Sequence, residues 1–404
     1  MKVLHVLASL GPLRGGPSFV LRNMATGLAD RGIQVDVATT DDNGPERLNV
    51  PLSVPVWEDG AIYRYFRRQT KSYTCSLPMA KWLWKNVANY DLVHIHAVFT
   101  FPSSVAAWVA QAKGVPYIIR PLGILNQWGL ENRRPLLKKL SLCAIENNIL
   151  KRASLIHYTS TGERIEAESA GIHTASTIIA NPVDLDPGGK QRFAGFFRQQ
   201  YPMFRNRFLV AFLSRIDAKK GIDLLIRAFA ILREHLPDAA LVIAGRGNPK
   251  LVESLKRQAS EAGLDEHIVW PGFLEGAQKK ALLADADVFV LPSYSENFGV
   301  AVVEALAYQV PVVISDQVGI HDQVSSYDAG LVVPCDENAL ADALARLLSQ
   351  PQRCDEMRRN ADRLLRDCFS TSGIVDSLLG TYESIVKSDV MSRPNQTVSD
   401  LPVR

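Results

Sequence analysis

Short runs of Val, Ile, Leu and Ala recur along the whole chain, separated by longer amphipathic stretches. They read KVLHVLAS, QVDVATT, LVHIHA, YIIRP, LIHYTS and TIIANP, then, after a break, FLVAFLSRI, ALVIAGRG, HIVWPGF, VFVLPS, PVVISD and GLVVP. A strand apolar at nearly every position is buried on both faces, the condition of a parallel sheet covered by helices on either side. Two sets of about six such strands predict an α/β chain of two doubly wound, Rossmann-like domains facing one another across a cleft. The opening MKVLHVLASLG reads as the first strand and not as a secretory leader, because its apolar run is brief and PLRGGPS follows.

The break falls in NPVDLDPGGKQRF, Asn181 to Phe193, where two prolines and two glycines disfavour regular structure. The expected division is a first domain at 1–182, a second at 183–370 and a C-terminal helix at 371–388. That helix should cross back to the first domain, leaving a disordered polar tail at 389–404. No run reaches the roughly 18 apolar residues of a membrane span, so any bilayer contact would be peripheral. The five cysteines are odd in number, scattered and without CxxC spacing, so they read as reduced thiols of a cytoplasmic protein.

A net charge of +3 gives no argument for nucleic acid. The charge is uneven, however: residues 1–182 hold 20 Lys/Arg against 13 Asp/Glu, and residues 183–404 hold 25 against 29. Ile62 to Lys85, IYRYFRRQTKSYTCSLPMAKWLWK, has six basic side chains, six aromatics and no acid. Such a stretch suits anionic phospholipid or a phosphate-bearing partner, and equally an exposed helix with snorkelling cations.

Ligands of open parallel sheets bind at the carboxyl ends of strands, so residues there carry the functional argument. GPLRGGPS follows the first strand, and its Gly15 and Gly16 allow close backbone approach to an anion at a helix start. SRIDAKKG follows the first strand of the second set; Arg215 and Lys220 suit a diphosphate, though a solvated basic loop would look the same. IAGRGNPK and VWPGFL place Gly245, Gly247 and Gly272 at strand ends, where a flat base or an ordinary turn explains them equally. SENFGVAVVEAL sets Glu296 before a helix start at Asn297, Phe298 and Gly299, and Glu304 within an otherwise apolar helix. A carboxylate is costly there unless it meets a cation or the hydroxyls of a ligand. LVHIHA carries His94 and His96 on one side of a strand, and metal binding would need a third ligand that the local sequence does not supply. His96 is the better cleft candidate of the two.

Together these motifs resemble glycosyltransferase family 4, the retaining, nucleotide-sugar-dependent enzymes of GT-B fold, over nearly the full chain. The most specific element is ENFGVAVVE placed after SRIDAKKG, with GGPSFVLRNMATGLADRG, DLVHIHA, ANPVDL and PVVISD in the family's order. RPLGILNQWGL resembles the bacterial exopolysaccharide and cell-envelope branch. The resemblance implies an acceptor-binding first domain and a donor-binding second one. Arg215 and Lys220 would hold the donor diphosphate, Glu296 the transferred sugar, Glu304 the ribose, and Gly16 the phosphate. Gly245 and the Gly272, Phe273 and Leu274 segment would border the base, with Asn297, Phe298 and Gly299 beside the sugar. Where many relatives have a histidine this chain has Arg120, so the cleft contact falls to Arg120 or His96. Arg246 stands where the family has an acid between two glycines.

The resemblance further implies a hexosyltransferase needing neither cofactor nor metal, with DAD at Asp285–Asp287 structural. UDP-glucose is the favoured donor and GDP-mannose the second. The acceptor would be a saccharide or a polyprenyl-linked glycan, and contact with the membrane face would run through residues 62–85. The alternatives are a nucleotide-sugar 2-epimerase of the same fold, told apart by incubating donor alone, and a non-catalytic nucleotide-sugar-binding subunit.

Overall fold

The structure, a computed structural model, describes residues 1–123, 125, 145–183, 186 and 188–392. In the first half lie β1 (Lys2–Ser9), β2 (Gln34–Thr40), β3 (Asp42–Asn43), β4 (Glu46–Arg47), β5 (Pro55–Glu58) and β6 (Ala61–Phe66). β7 (Leu92–His96), β8 (Tyr117–Arg120), β9 (Leu155–Tyr158) and β10 (Ser176–Ile178) follow. The second half holds β11 (Phe208–Leu213), β12 (Ala239–Ala244), β13 (Ile268–Gly272), β14 (Val288–Leu291), β15 (Val312–Ser315) and β16 (Gly330–Val333).

Two large sheets result, in strand order β10-β9-β8-β7-β1-β2-β6-β5 and β13-β12-β11-β14-β15-β16. Every ladder in them is parallel except β5 on β6, which closes one edge antiparallel. β3 and β4 form a separate short hairpin. The continuous apolar runs are buried as their composition requires: Val3, Leu4, Val6, Val210, Phe212, Val312 and Ile314 are all fully inaccessible. In the first sheet the strand order reverses at β1 beside β7, and in the second at β11 beside β14. These switch points open crevices at the carboxyl ends of the strands.

The basic stretch at 62–85 is not one exposed helix. Its first five residues belong to the buried strand β6, in which Arg64 lies 3.9 Å from Asp36. Arg67 pairs with Asp41 at 3.0 Å, and the buried Arg68 pairs with Asp42. The helix Leu77–Asn86, capped by Ser76, whose hydroxyl accepts from the Met79 amide, presents Lys81 and Lys85 to solvent, and Lys71 is exposed in the loop before it. Cations of one sign looked exposed because the compensating acids lie more than twenty residues upstream.

Of the expected linker, residues 184, 185 and 187 lie outside the described residues, while Gly189–Phe193 forms a short helix instead of loop. Asp285 and Asp287 are structural anchors here: Asp285 accepts from the Arg198 amide at 2.9 Å. Asp287 accepts from the Arg198 guanidinium at 2.8 Å and the Leu209 amide at 2.7 Å. The final helix, Thr371–Ser392, lies against the first-domain helix Gly16–Ala29. The fit is tight enough that a Cβ on Gly27 would sit 2.5 Å from Val375. The helix takes in the first four residues of the stretch expected to be a disordered tail; residues 393–404 lie outside the described residues.

Candidate active site

Three loops, each following a strand, fix the site. The glycine loop leaves β1, with Gly15 at φ 83° so that the helix Gly16–Ala29 can begin at once. SRIDAKKG leaves β11 and turns into a helix at Gly221, φ 65°, where a side chain would strike the Pro292 carbonyl. SENFG leaves β14, and Gly299 at φ 92° starts the helix Val300–Ala307. Strand order brings the last two side by side, and the domain arrangement sets the first opposite them.

Between them lies a cavity of about 320 Å³. Gly16 and Arg120 line it from the first domain; Arg215, Lys220, Gly245, Phe273, Leu274, Glu296, Asn297, Phe298, Gly299 and Glu304 line it from the second. The glycine loop lies against the opposite domain, since a Cβ on Gly15 would be 3.7 Å from Arg215 and one on Gly16 3.6 Å from Val300.

Both glutamates are ion-paired. Lys220, buried on its short helical turn, donates to Glu296, and Lys279 donates to Glu304 at 2.8 Å. Neither carboxylate is therefore an isolated buried charge. Burial, with Lys219 and Arg215 beside it, pulls Lys220 well below the ordinary lysine range. A cation under that pressure gains from any anion brought to it. Arg120 is fully buried, which lowers it to about 10; its guanidinium donates to Asn181 and lies 3.4 Å from His96 Nδ1.

Two expected residues stand elsewhere. Gly272 does not line the cavity; its carbonyl accepts from the Gly245 amide at 2.7 Å. Gly245 and Gly247 answer to backbone crowding, since a Cβ on either would fall within 2.1 Å of the carbonyl of Ser214 or Ile216. His96 is only 1% exposed and sits behind Arg120, not at the rim. Parallel register explains this, setting His96 opposite Arg120 and His94 opposite His5.

That register also supplies the third imidazole missing from the local sequence. His5, His94 and His96 bring ring nitrogens within 4.8 Å of one another. The fixed charge of Arg120 at 3.4 Å opposes a divalent cation there, and the rings bond to one another and to Tyr382 instead. Burial holds His5 and His157 neutral, at about 3. The unfolded chain takes up protons below about 6.5 that these rings refuse, so stability is complete above that pH and falls beneath it. At pH 5 His5 alone should cost roughly 2 kcal/mol. Thermal unfolding at neutral pH and at pH 5 checks this: a melting temperature unchanged by acid would contradict neutral burial. The decline should be shallower in His157→Gln.

Further contacts and residues of the site were not singled out from sequence. Asn297, already expected beside the sugar, uses its side chain to donate to Thr159 Oγ1 at 2.9 Å across the domain gap, a contact its sequence position did not announce. Glu163, buried, accepts from the amides of Gly123 at 2.6 Å and Thr159 at 2.8 Å. Gly319 donates its amide to the Glu296 carbonyl at 2.8 Å and passes so close that a Cβ would lie 1.9 Å from the Asn297 carbonyl. A glycine soon after the strand PVVISD was the available signal.

Residues 15–182 match the glycosyl transferase 4-like domain, and residues 194–364 match the glycosyl transferases group 1 domain. A phosphatidyl-myo-inositol mannosyltransferase of Mycobacterium leprae is 35% identical, across 93% of this chain and 94% of its own. The chain belongs to the GT-B glycosyltransferases of group 1. A D-inositol 3-phosphate glycosyltransferase of Gordonia bronchialis is 28% identical, covering 95% of this chain and 87% of its own. Among solved structures, Anabaena Alr3699/HepE in complex with UDP and glucose superposes with a TM-score of 0.75 at 23% identity. That match covers 95% of this chain and 100% of the other and shares its fold. The glycosyltransferase is thus a transferase of the two-domain GT-B type expected from its strands and motifs. No described helix is long and apolar enough to cross a membrane.

Proposed function

We propose that this glycosyltransferase moves a hexose from a nucleoside diphosphate sugar to a hydroxyl of a saccharide or polyprenyl-linked acceptor, with retention and without a metal. The observation supporting it is the convergence of one cationic pair, Arg215 and Lys220, and two separated acids, Glu296 and Glu304, on a single interdomain cavity. Arg215 and Lys220 hold the diphosphate and draw off the charge that grows as the anomeric C–O bond breaks. Glu296 holds hydroxyls of the hexose and Glu304 those of the ribose, each exchanging a lysine contact for a ligand contact. The acceptor oxygen bonds to the anomeric carbon on the face the nucleotide leaves, and its proton passes to the departing phosphate oxygen. Arg120, in the cavity wall, faces the acceptor side, and His96 steadies it from behind. The work is placed in glycan synthesis at the cytoplasmic side of a membrane.

UDP-glucose is the first donor reading. GDP-mannose is the second, favoured by the mannosyltransferase name of the 35% identical relative. A thermal-shift panel of UDP-glucose, GDP-mannose and ADP-glucose separates them, because a ligand at a hundred times its Kd stabilises by about 2.7 kcal/mol. A panel that moves no melting temperature would remove the nucleotide-sugar reading. Proton NMR of the product then reports the anomeric configuration.

Glu304→Ala is expected to raise the donor KM roughly tenfold to a hundredfold while leaving kcat within a few-fold, as loss of a hydrogen bond to a charged group does. Steady-state kinetics with varied donor checks it. An unchanged KM in a folded variant assigns Glu304 to its Lys279 contact alone.

A further inference from the structure

We propose that Trp84 and Trp108, ringed by Lys81, Lys85 and Lys113, form a docking surface for an anionic phospholipid bilayer. The surface is independent of how the cleft is read. The helices Leu77–Asn86 and Phe101–Lys113 belong to the same side of the first domain, and their outward tryptophans stack on each other. The ring centroids are 5.3 Å apart with planes 21° from parallel. Trp84 remains 45% exposed and Trp108 58%. Core packing does not call for these rings: Trp82, one turn face away, already meets Phe66 and Tyr90, and the layer beneath is filled by Met79, Leu83 and Ala106.

Spacing groups the rest. Leu77, Lys81, Trp84 and Lys85 are all exposed at positions i, i+4, i+7 and i+8, which share one helix face. Lys113, also exposed, reaches over from the neighbouring helix and sets its ammonium 4.2 Å from the Trp84 ring centroid. Residues 67–90 and 92–130 contain no Asp or Glu, so nothing in either helix neutralises these cations. Indoles with one apolar face and one polar edge settle at the headgroup level of a bilayer, and lysines beside them meet lipid phosphates. A protein partner is the poorer fit, since the cores of protein interfaces are depleted in lysine. The sequence had placed its membrane patch at 62–85. The fold removes the first part of it into the core and replaces it with Trp108 and Lys113.

The test is co-sedimentation of the full chain with vesicles of phosphatidylcholine alone and of phosphatidylcholine mixed with phosphatidylglycerol. Wild type should partition onto the anionic vesicles, less so as salt rises, and scarcely onto the neutral ones. The triple variant Lys81→Gln, Lys85→Gln, Lys113→Gln should lower partitioning on the order of a hundredfold. In Trp84→Ser and Trp108→Ser, keeping roughly 60 Å² of each indole in water should cost about tenfold apiece. Brominated lipid should quench an emission component of wild type that the double tryptophan variant lacks. All these substitutions are on the surface, so melting temperatures should stay put. Binding that is equal on both vesicle types, or unaffected by either set of variants, overturns the proposal. So does a wild type that ignores vesicles but forms a dimer that Trp84→Ser and Trp108→Ser dissociate, which would assign the face to a second copy.

Discussion

Lys220→Ala is expected to lower transfer on the order of a hundredfold or more in kcat, with the fold retained. Removing one preorganised charge aimed at a developing anion costs about 3 kcal/mol in other active sites, and Lys220 is the more deeply buried of the proposed diphosphate cations. The variant leaves Glu296 without its partner, but that carboxylate lines the cavity and can be hydrated there. A second readout follows from the depressed Lys220: an arriving diphosphate opposes that depression, so UDP binding should take up protons at pH values within the lysine's titration in the free protein. Affinity should fall as pH rises through the lysine's titration in the free protein. Calorimetry in two buffers of different ionisation heat measures that uptake, which should vanish in Lys220→Ala. Turnover near wild type, or proton uptake unchanged by the substitution, would contradict the assigned role.

Gly319→Ala is expected to cut transfer about a hundredfold without any direct loss of a ligand contact. The new Cβ would sit 1.9 Å from the Asn297 carbonyl, which is backbone and cannot rotate away, so the Glu296–Asn297 segment must move. Misplacing a reacting group by about 1 Å is enough for a loss of that size. The same segment is tied on its other side, where Asn297 donates to Thr159 and its carbonyl accepts from Ser160. Displacement should therefore also loosen the domains against each other. Donor KM and kcat should both suffer, and ordinary values for both would show that the loop absorbs the methyl group elsewhere.

The fold was legible because a parallel sheet writes itself locally: a strand buried on both faces is apolar at nearly every position, whatever its neighbours are. β5 and β6 escaped that reading, since PVWE alternates at the sheet edge and AIYRYF, beside it, carries a charge. Catalytic candidates at strand ends were legible for a related reason, as the loop after each strand inherits its position from the sheet. Pairings between distant segments were not. Lys279 against Glu304, His5 against His94, and Arg68 against Asp42 all depend on which strands and helices become neighbours. The misplacement of His96 has the same origin: it does lie at a strand end, but the arginine in register with it on β8 lies between it and the cleft.

The last helix has a consequence for how the molecule is made. Tyr382, fully buried, completes the core of the first domain and bonds to His94 on β7, almost three hundred residues upstream. A ribosome must therefore finish nearly the whole polypeptide before the earliest-synthesised half can seal its hydrophobic interior. Until then that half waits with an open flank, where a chaperone could bind. A gene cut after residue 182 would leave the same flank permanently uncovered.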